Sequence, residues 1–489
     1  MTSLCPRIII SSPTNIMDYD SFFTNSKLIT TVLANLPTKD LLNFRPICKS
    51  WNRSVCLILQ NRELIEFRHV TDIARYVATF CRNHLPPSTD DSFPYPYVRF
   101  YFCKIRLNLI HDNYLLRTFF KKYQSTITHV QMDFTGPQFR LKYLRMCVLE
   151  NITNVKSVIF TFKEFVQIWP ASLSDDAPGP PLNSVKDLTI YGFGREASLR
   201  PVMEKIIPYF PNVCRIEAGE QIGRLIFEII YQNVDTLSEK DNGLKSFQFR
   251  NLTHIDFNYI YPTQLESIIF NRIRLKSLKG GLHMCTEKGL TDLFEFLSPT
   301  VEELALDCQN SIIKFAPRLP MPVLTKLELT RFQLDLGILV GLPMLKMLKL
   351  KCSQILWGDK EEGGSGKGDG NVTLSEYLMC VKLEICEVNE SNLDGFGKIF
   401  GSVKKLDLVF CVFANMEIFR KICRTLQNLE EVHLTMGVYG EEGLKEIIGD
   451  GLGSKSDDES DTDLVRFVKV YDRESKEYLG CVQVDKKYD

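Results

Sequence analysis

The chain has 489 residues, of which 44% are hydrophobic and 24% charged, and its formal net charge is −1. A chain of this length exceeds what one compact hydrophobic core supports, so we expect several domains or a repeat array. The balanced charge argues against a general nucleic-acid or membrane-surface binder, because such proteins carry a basic excess.

Cysteine usage and hydropathy indicate the compartment. The 15 cysteines are odd in number and scattered singly, without a Cys-x-x-Cys pair. This pattern is typical of reduced thiols in a cytoplasmic or nuclear protein. No stretch approaches the roughly 18 consecutive apolar residues of a membrane helix, so no membrane partner is expected.

Residues 1–20 are polar and lack a helical pattern, which predicts a flexible lead. Residues 21–60 then hold three short helical pieces separated by prolines. Pro37 ends the first piece, because the residue before a proline is disfavoured in the α region. Thr38 is predicted to N-cap the second piece, and Pro46 ends it. The apolar stripe of the first piece consists of Leu28, Ile29, Val32, Leu33 and Leu36.

This segment resembles the F-box, a resemblance that covers about 30 residues. The matching features are the Leu36-Pro37 pair, the Asp40-Leu41-Leu42 run and the Ile47-Cys48-Lys49-x-Trp51 ending. At the head of the first helix, Thr24, Asn25 and Lys27 stand where F-box proteins usually carry a Leu-Pro pair and an acidic residue. The alternative is an ordinary helical hairpin packed on its own protein.

The resemblance implies that this segment docks on the Skp-type linker subunit of a cullin-based ubiquitin ligase. The residues to which it assigns contact roles are Leu36, Pro37, Leu41, Leu42, Ile47, Cys48 and Trp51.

Residues 61–125 are predicted to be a helical and proline-rich connection. Helical spacing of apolar residues over 61–84 predicts a helix, and the loop that follows is rich in proline.

A repeat of the form apolar-x-x-apolar-x-apolar runs through residues 126–450. About twelve copies begin at intervals of 21 to 39 residues, and amphipathic helices fill several intervals. The copies start at Ile127, Val155, Val185, Val213, Leu252, Leu275, Val301, Leu324, Leu345, Cys380, Val403 and Leu429.

A strand and a helix in about 25 residues resemble the divergent repeats of F-box/leucine-rich-repeat proteins. The resemblance implies an α/β solenoid with a parallel sheet on the concave side, helices outside and a small all-α N-terminal domain. Cys308, Cys352 and Cys411 are partial matches to the Asn or Cys that ends a regular repeat. The alternative is a set of unrelated strands in a plain α/β domain.

Between the apolar places of each copy, lysines and acids alternate. This pattern indicates a solvated face with cross-strand ion pairs. The alternative is a basic site for an acidic or phosphorylated protein target, made by Lys326, Lys349, Lys351, Lys382 and Lys405.

The last part contains an acidic linker and a hairpin. Residues 451–463 are rich in Asp, Ser and Glu, and Ser456 and Ser460 are either phosphorylation sites or part of a solubilising linker. Two alternating runs in 464–489 predict a hairpin that caps the repeats.

No residues indicate catalysis, a cofactor or a metal. The glycine-rich insert within 358–371 lacks the phosphate-loop spacing, since Glu361 stands where a glycine is required and Gly368 follows Lys367. We therefore expect a non-catalytic adaptor whose repeats bind a protein target for ubiquitination. The alternatives are a binding scaffold without a ligase role and an α/β enzyme, which would need a cluster of polar groups that the sequence does not show.

Overall fold

The structure is a computed structural model of the full chain. It describes residues 26–37, 40–41, 51, 54–55, 58, 64–67, 72, 104–107, 119–121, 124, 127–134, 150, 153–162, 181–192, 196–231, 249, 251–309, 312–356, 377–388, 400–413, 416–434, 465–472 and 478–485. The predicted lead at 1–20, the insert at 358–371 and the acidic linker at 451–463 lie outside these residues. By its internal contacts the chain divides into two units, residues 1–185 with 192–194 and residues 186–191 with 195–489.

The elements whose bounds are described in the first unit are a helix of the F-box-like segment and four parallel strands. Strands are numbered in chain order throughout, and the first of these four pairs with the second, the second with the third and the third with the fourth. The helix is α1 (Ser26–Leu33), and the strands are β1 (Leu64–Phe67), β2 (Lys104–Leu107), β3 (His129–Phe134) and β4 (Ser157–Phe162).

The helix predicted over residues 61–84 is wrong where β1 lies. Leu64–Phe67 is a strand, and Leu64 pairs with Lys104 of β2. The run Leu-Ile-Glu-Phe fits either structure by its periodicity. The parallel neighbour β2 supplies backbone hydrogen bonds that stabilise the strand conformation. The parallel strands therefore begin before residue 126.

The second unit is built on a long sheet of parallel neighbours. Its main strands are β5 (Asp187–Gly192), β6 (Arg215–Ala218), β7 (His254–Ile260), β8 (Ser277–Leu282), β9 (Glu303–Cys308), β11 (Lys326–Thr330), β13 (Met347–Lys351), β15 (Cys380–Glu384), β17 (Lys405–Val409), β19 (Glu431–Leu434) and β20 (Val465–Asp472). The strand β21 (Tyr478–Asp485) stands last in the order and is antiparallel to β20, which is the strand pairing of the predicted hairpin.

Two small parallel sheets follow the ends of the main strands. One contains β10 (Ile313–Phe315), β12 (Phe332–Asp335) and β14 (Gln354–Leu356), and the other β16 (Glu387–Val388) and β18 (Val412–Phe413).

Helices fill the returns between several main strands. They are α2 (Glu196–Ile206), α3 (Glu220–Tyr231), α4 (Pro262–Phe270), α5 (Glu287–Leu297) and α6 (Met416–Thr425), with short 3-10 helices at Ile207–Tyr209 and Leu336–Gly341. The helix α3 packs on β6 and β7, and their buried apolar side chains form part of the core.

Alternation along the main strands produces the two faces of the sheet. In β11, for example, Leu327 and Leu329 are buried while Lys326 and Glu328 are partly exposed. Successive side chains of a strand point to opposite faces, so the apolar-x-apolar spacing buries one face and leaves the other polar.

The repeats are aligned by a regular set of backbone hydrogen bonds. The carbonyl before β3, and the carbonyl before each main strand from β5 to β17, accepts from two consecutive N–H groups of the next repeat, over 2.7 to 3.2 Å. Lys346 O, for instance, accepts from Met379 N at 3.1 Å and Cys380 N at 3.2 Å. This alignment satisfies the backbone groups where each strand begins.

The alignment corrects one predicted copy. Met347 pairs with Cys380, so Leu378 and not Cys380 is the equivalent of Leu345. Leu378 is buried, whereas Cys380 is partly exposed and lies on the polar face. The copy begins two residues earlier than its periodicity indicated, because Leu378, Val381 and Leu383 fit the spacing as well as Cys380, Leu383 and Ile385.

Gly280 occupies an apolar place for a steric reason. A Cβ at this position would lie 2.4 Å from the Phe257 carbonyl oxygen, which real structures do not tolerate. The register between β7 and β8 shifts at Phe257 and Tyr259, and this irregularity brings the backbone of β7 close to Gly280. Glycine therefore permits the two strands to remain paired.

Candidate functional site

The N-terminal segment forms a compact apolar cluster. Its buried members come from α1 and from three places further along the chain, and Leu36 and Trp51 pack against them while remaining partly exposed. The buried members are Ile29, Leu33, Leu41, Val55 and Ile58.

A turn after α1 leads the chain back towards the cluster. The Pro37 carbonyl accepts hydrogen bonds from Asp40 N and Leu41 N, each at 3.0 Å. These bonds begin the next helical turn, in which Asp40 is exposed and Leu41 has no exposed surface. Thr38, the predicted cap, lies outside the described residues.

The predicted contact residues fall into three groups. Pro37 is exposed, Leu36 and Trp51 are partly buried against the cluster, and Leu41 lies inside it. Leu41 therefore does not present its side chain at the surface of the chain. The remaining predicted residues, Leu42, Ile47 and Cys48, lie outside the described part of the structure.

The apolar stripe of α1 is two stripes. Ile29 and Leu33 point into the cluster, whereas Leu28 and Val32 have 41% and 48% of their surface exposed. Each pair is spaced i, i+4, so its members are neighbours on one side of the helix. Two adjacent i, i+4 pairs of apolar residues in one short helix indicate that one pair is buried and the other exposed. The sequence analysis treats all of them as one stripe.

The lysines predicted to bind a target lie on the polar face of the second unit. The strand register places Glu328, Lys349 and Lys382 side by side in one row, followed by Asp407. Lys326 and Lys405 lie in the adjacent row with Met347 and Cys380 between them.

Four of these five lysines have acidic partners. Lys349 pairs with Glu328. Glu384 receives Lys351 at 2.6 Å and Lys382 at 3.2 Å. The Nζ atom of Lys405 lies 4.0 Å from Asp407.

These partners alter the protonation behaviour of the face. Burial acts to raise the pKa of Glu384, but hydrogen bonds from Lys351 and Lys382 outweigh it and lower that pKa. The pKa of Lys351 is raised, first by its hydrogen bond to Glu384. Four lysines of this face are therefore paired with acids, Lys349 and Lys351 with residues of a neighbouring strand and Lys382 and Lys405 with residues of their own strand.

Lys326 differs from the other four lysines. It is partly exposed, and within the described part of the chain no acidic group lies within salt-bridge distance of it. Its strand neighbour Met347 is exposed. Of the five predicted lysines, Lys326 alone has no acidic partner among the described residues, and its strand β11 lies between β9 and β13.

A row of small polar donors follows the strands β13, β15 and β17. Ser353 Oγ donates to Leu329 O at 3.3 Å, Cys386 Sγ to Leu350 O at 3.6 Å and Cys411 Sγ to Leu383 O at 3.3 Å. Each donor thus bonds to the backbone of the preceding repeat. This is the place that a regular leucine-rich repeat gives to Asn or Cys.

The row corrects two of the three predicted repeat-ending cysteines. Cys411 occupies the row, but Cys352 stands one residue before Ser353, which holds the place instead. Cys308 ends β9 and is also displaced by one residue. Cys386 holds the same place, but a copy that starts at Cys380 does not predict it, because the copy starts at Leu378.

Two classes of site are not seen in the described parts of the chain. No group of three or more His, Cys, Asp or Glu side chains there is arranged to hold a metal ion. None of the described helices is long and apolar enough to span a bilayer.

Comparison with known protein families assigns the N-terminal cluster. Residues 25–58 match the family model of the F-box domain. The chain carries an F-box. The matched range lies within the predicted 21–60 and includes every predicted contact residue of that segment. No curated protein matches the chain.

The match supports membership of the F-box protein family and a substrate-adaptor role in a ubiquitin ligase complex. F-box proteins are generally non-catalytic, and their F-box typically binds a Skp-type linker subunit of cullin ligases. In this chain the F-box offers Leu28, Val32 and Pro37 at its described surface.

Proposed function

We propose that this protein is a non-catalytic substrate-recognition adaptor of a cullin-based ubiquitin ligase. The F-box docks on the Skp-type linker subunit, and the second unit binds a protein target. The match of residues 25–58 to the F-box carries this proposal.

The proposed target-binding part is a divergent leucine-rich-repeat solenoid. Two observations support it, the parallel strands spaced one repeat apart and the row formed by Ser353, Cys386 and Cys411. In such an array each repeat packs only on its neighbours, and the polar face remains available for a ligand. The adaptor acts by proximity, because it holds the target near the subunits that transfer ubiquitin.

The docking surface proposed for the linker subunit includes the exposed pair of α1. Leu28 and Val32 are large apolar side chains one helical turn apart, and a partner that covers them removes apolar surface from water. Leu36, Pro37, Leu42, Ile47, Cys48 and Trp51 remain proposed contacts. Leu41 supports this surface from inside the cluster.

The decisive experiment is co-purification of the linker subunit and cullin with the full-length protein. The double variant Leu28→Glu/Val32→Glu should lose at least about tenfold in linker affinity, because two charges would be placed against an apolar interface. The control Ala34→Glu adds a charge at an exposed position beyond the end of α1 and should bind normally.

Two results would contradict the adaptor role. One is a wild-type protein that recovers neither linker nor cullin from cell extract. The other is a folded double variant that binds the linker as tightly as the wild type. The first result would favour the alternative of a protein-binding scaffold without a ligase role.

A further inference from the structure

One position in the repeats carries an apolar or aromatic residue in three successive copies and a polar residue in the others. It is the residue directly before the first buried apolar residue of each copy. In the copy of β8 this position is Arg274, and in seven other described copies it is a small polar residue, namely Asn154, Ser184, Asn212, Asn251, Thr300, Ser402 and Asn428. In the copies of β11, β13 and β15 it is Val323, Met344 and Tyr377, which are 37%, 37% and 50% exposed.

Two of the polar residues at this position make a hydrogen bond to the neighbouring repeat. Ser402 Oγ donates to Leu378 O at 3.0 Å, and Asn428 Nδ2 donates to Gly401 O at 2.6 Å. Val323 and Met344 have no side-chain donor with which to replace these bonds. Folding therefore does not explain why three adjacent copies depart from the pattern, and such departures are expected at functional sites.

The three residues belong to a continuous surface. The strands β11, β13 and β15 are direct neighbours about 5 Å apart, and each of the three residues stands three positions before its strand, at an equivalent place of adjacent repeats. Met347 on β13 and Met379, directly before β15, are also exposed and extend the patch. We call Val323, Met344, Met347, Tyr377 and Met379 the edge patch.

The composition of the edge patch suits a ligand of variable shape. Three of its members are methionines, whose flexible and polarisable side chains adapt to different apolar partners. Contiguous exposed apolar surface of this kind marks interaction sites in soluble proteins.

Two lysines without acidic partners lie beside the edge patch, and the acid opposite Lys326 on β9, Glu303, is paired with Lys279 at 3.5 Å. Lys326 pairs in register with Met347, and Lys346 directly precedes it. Neither lysine has an acidic side chain within salt-bridge distance among the described residues. This contrasts with Lys349, Lys351 and Lys382, which their acidic neighbours neutralise.

We propose that the edge patch, with Lys326 and Lys346, binds an acidic segment of a partner protein that carries at least one large apolar side chain. The apolar side chain packs among the methionines and Tyr377, and the carboxylates face the two unpaired lysines. The identity of this partner as the ubiquitination target rests on the proposed adaptor function. The binding of an acidic segment to the edge patch does not depend on that function.

The probe is a fluorescein-labelled pool of 12-residue peptides in which one Leu or Phe is flanked by four Asp or Glu. A matched pool carries Lys in place of the acids. Fluorescence anisotropy with the full-length protein should show saturable binding of the acidic pool, at least about tenfold tighter than of the basic pool. Binding should weaken as ionic strength rises, because exposed charge pairs are screened by salt.

Two variants test the two parts of the surface separately. Met344→Glu/Met379→Glu and Lys326→Glu/Lys346→Glu should each weaken binding of the acidic pool at least about tenfold. The control Lys382→Gln removes a neutralised lysine of the same sheet and should leave binding within about twofold. Circular dichroism and thermal melting verify that each variant is folded.

Three outcomes would overturn the proposal. They are a lack of binding by the wild type, binding by either folded double variant that is as tight as that of the wild type, and binding that appears only after deletion of residues 451–463. The last would mean that the chain's own acidic segment is the occupant. The Leu28→Glu/Val32→Glu variant should still bind the acidic pool, so failure of the adaptor role and failure of this site are separately visible.

Discussion

At the residue scale, buried thiols bond to the backbone of the neighbouring repeat. Cys386 and Cys411 are almost fully buried, and each lies close to two backbone carbonyls. A thiol is a weak donor, but it is also a small apolar group that suits a position inside the core. The repeats therefore retain their backbone contacts without burying an amide.

Burial also determines the acid–base behaviour of these thiols. It raises the pKa of Cys411 to about 11 and the pKa of Cys308 to about 12. The reactive form of cysteine is the thiolate, so both residues should be inert in the folded protein at neutral pH.

We expect iodoacetamide at pH 8 to leave Cys308 and Cys411 unmodified in the native protein and to label both in guanidinium chloride. Peptide mass spectrometry after trypsin digestion measures each site. Labelling of native Cys308 at the rate of the unfolded chain would contradict the assigned burial.

The same shifts predict a dependence of stability on pH. In the unfolded chain the two thiols ionise near pH 8.5 to 9, before they do in the folded state. Their contribution is therefore complete below that pH and is lost as the pH rises towards 11 and 12. Melting temperatures measured between pH 7 and pH 10 should fall above about pH 9, and substitution of both cysteines by Ala should reduce that fall.

At the element scale, the end of each central strand is built on a left-handed residue. Arg331, Cys352, Ile385 and Phe410 directly follow β11, β13, β15 and β17, with φ of 61°, 47°, 53° and 50°. This conformation redirects the chain from the main sheet into the small sheets beside it. Three of these residues also donate their N–H to the neighbouring repeat, Ile385 N to Val409 O at 2.7 Å among them.

Ile385 is the least suited of the four to this conformation. A β-branched residue at positive φ is strained, and its side chain is 49% exposed, so packing offsets little of the strain. We expect Ile385→Asn to increase the free energy of unfolding by about 1 kcal/mol, because Asn tolerates positive φ and keeps the backbone hydrogen bond.

Urea denaturation of the full-length protein measures this change. The matched variant Ile385→Ala shortens the side chain without the Asn preference for positive φ and should give less stabilisation. An equal gain from both variants would attribute the effect to the loss of exposed apolar surface and not to backbone strain.

At the scale of the whole molecule, the second unit is stabilised by contacts between neighbouring repeats. Its main strands pair in chain order, so each repeat is connected mainly to the copies before and after it. Stability in such an array is approximately a sum of repeat and nearest-neighbour contributions. A core substitution should therefore act locally.

We expect Leu348→Ala to cost about 2–5 kcal/mol, because Leu348 is fully buried on the central strand β13. Hydrogen–deuterium exchange should show lost protection in β11, β13 and β15, with the F-box unchanged. The control Met347→Ala changes an exposed neighbour and should leave exchange unaltered. A uniform loss of protection across both units would contradict the nearest-neighbour description.

Much of the architecture follows from the sequence alone, because apolar side chains at two-residue spacing can be buried only on one face of a strand. The main strands from β3 to β19 lie where that spacing predicted them, and the F-box match falls on the proline-separated helical segment. Local periodicity was ambiguous at Leu64–Phe67 and around Cys380, and only the neighbouring strands decided those places.

The properties of the two proposed binding surfaces depend on residues distant in the chain. Whether a lysine is neutralised is decided by strand pairing, as for Lys349 and Glu328, which are 21 residues apart. Which side of α1 is buried is decided by Val55 and Ile58. The sequence determined which residues form strands and helices, since that choice depends on local spacing. The tertiary structure decided which side chains remain exposed and unpaired, since that depends on what packs beside them.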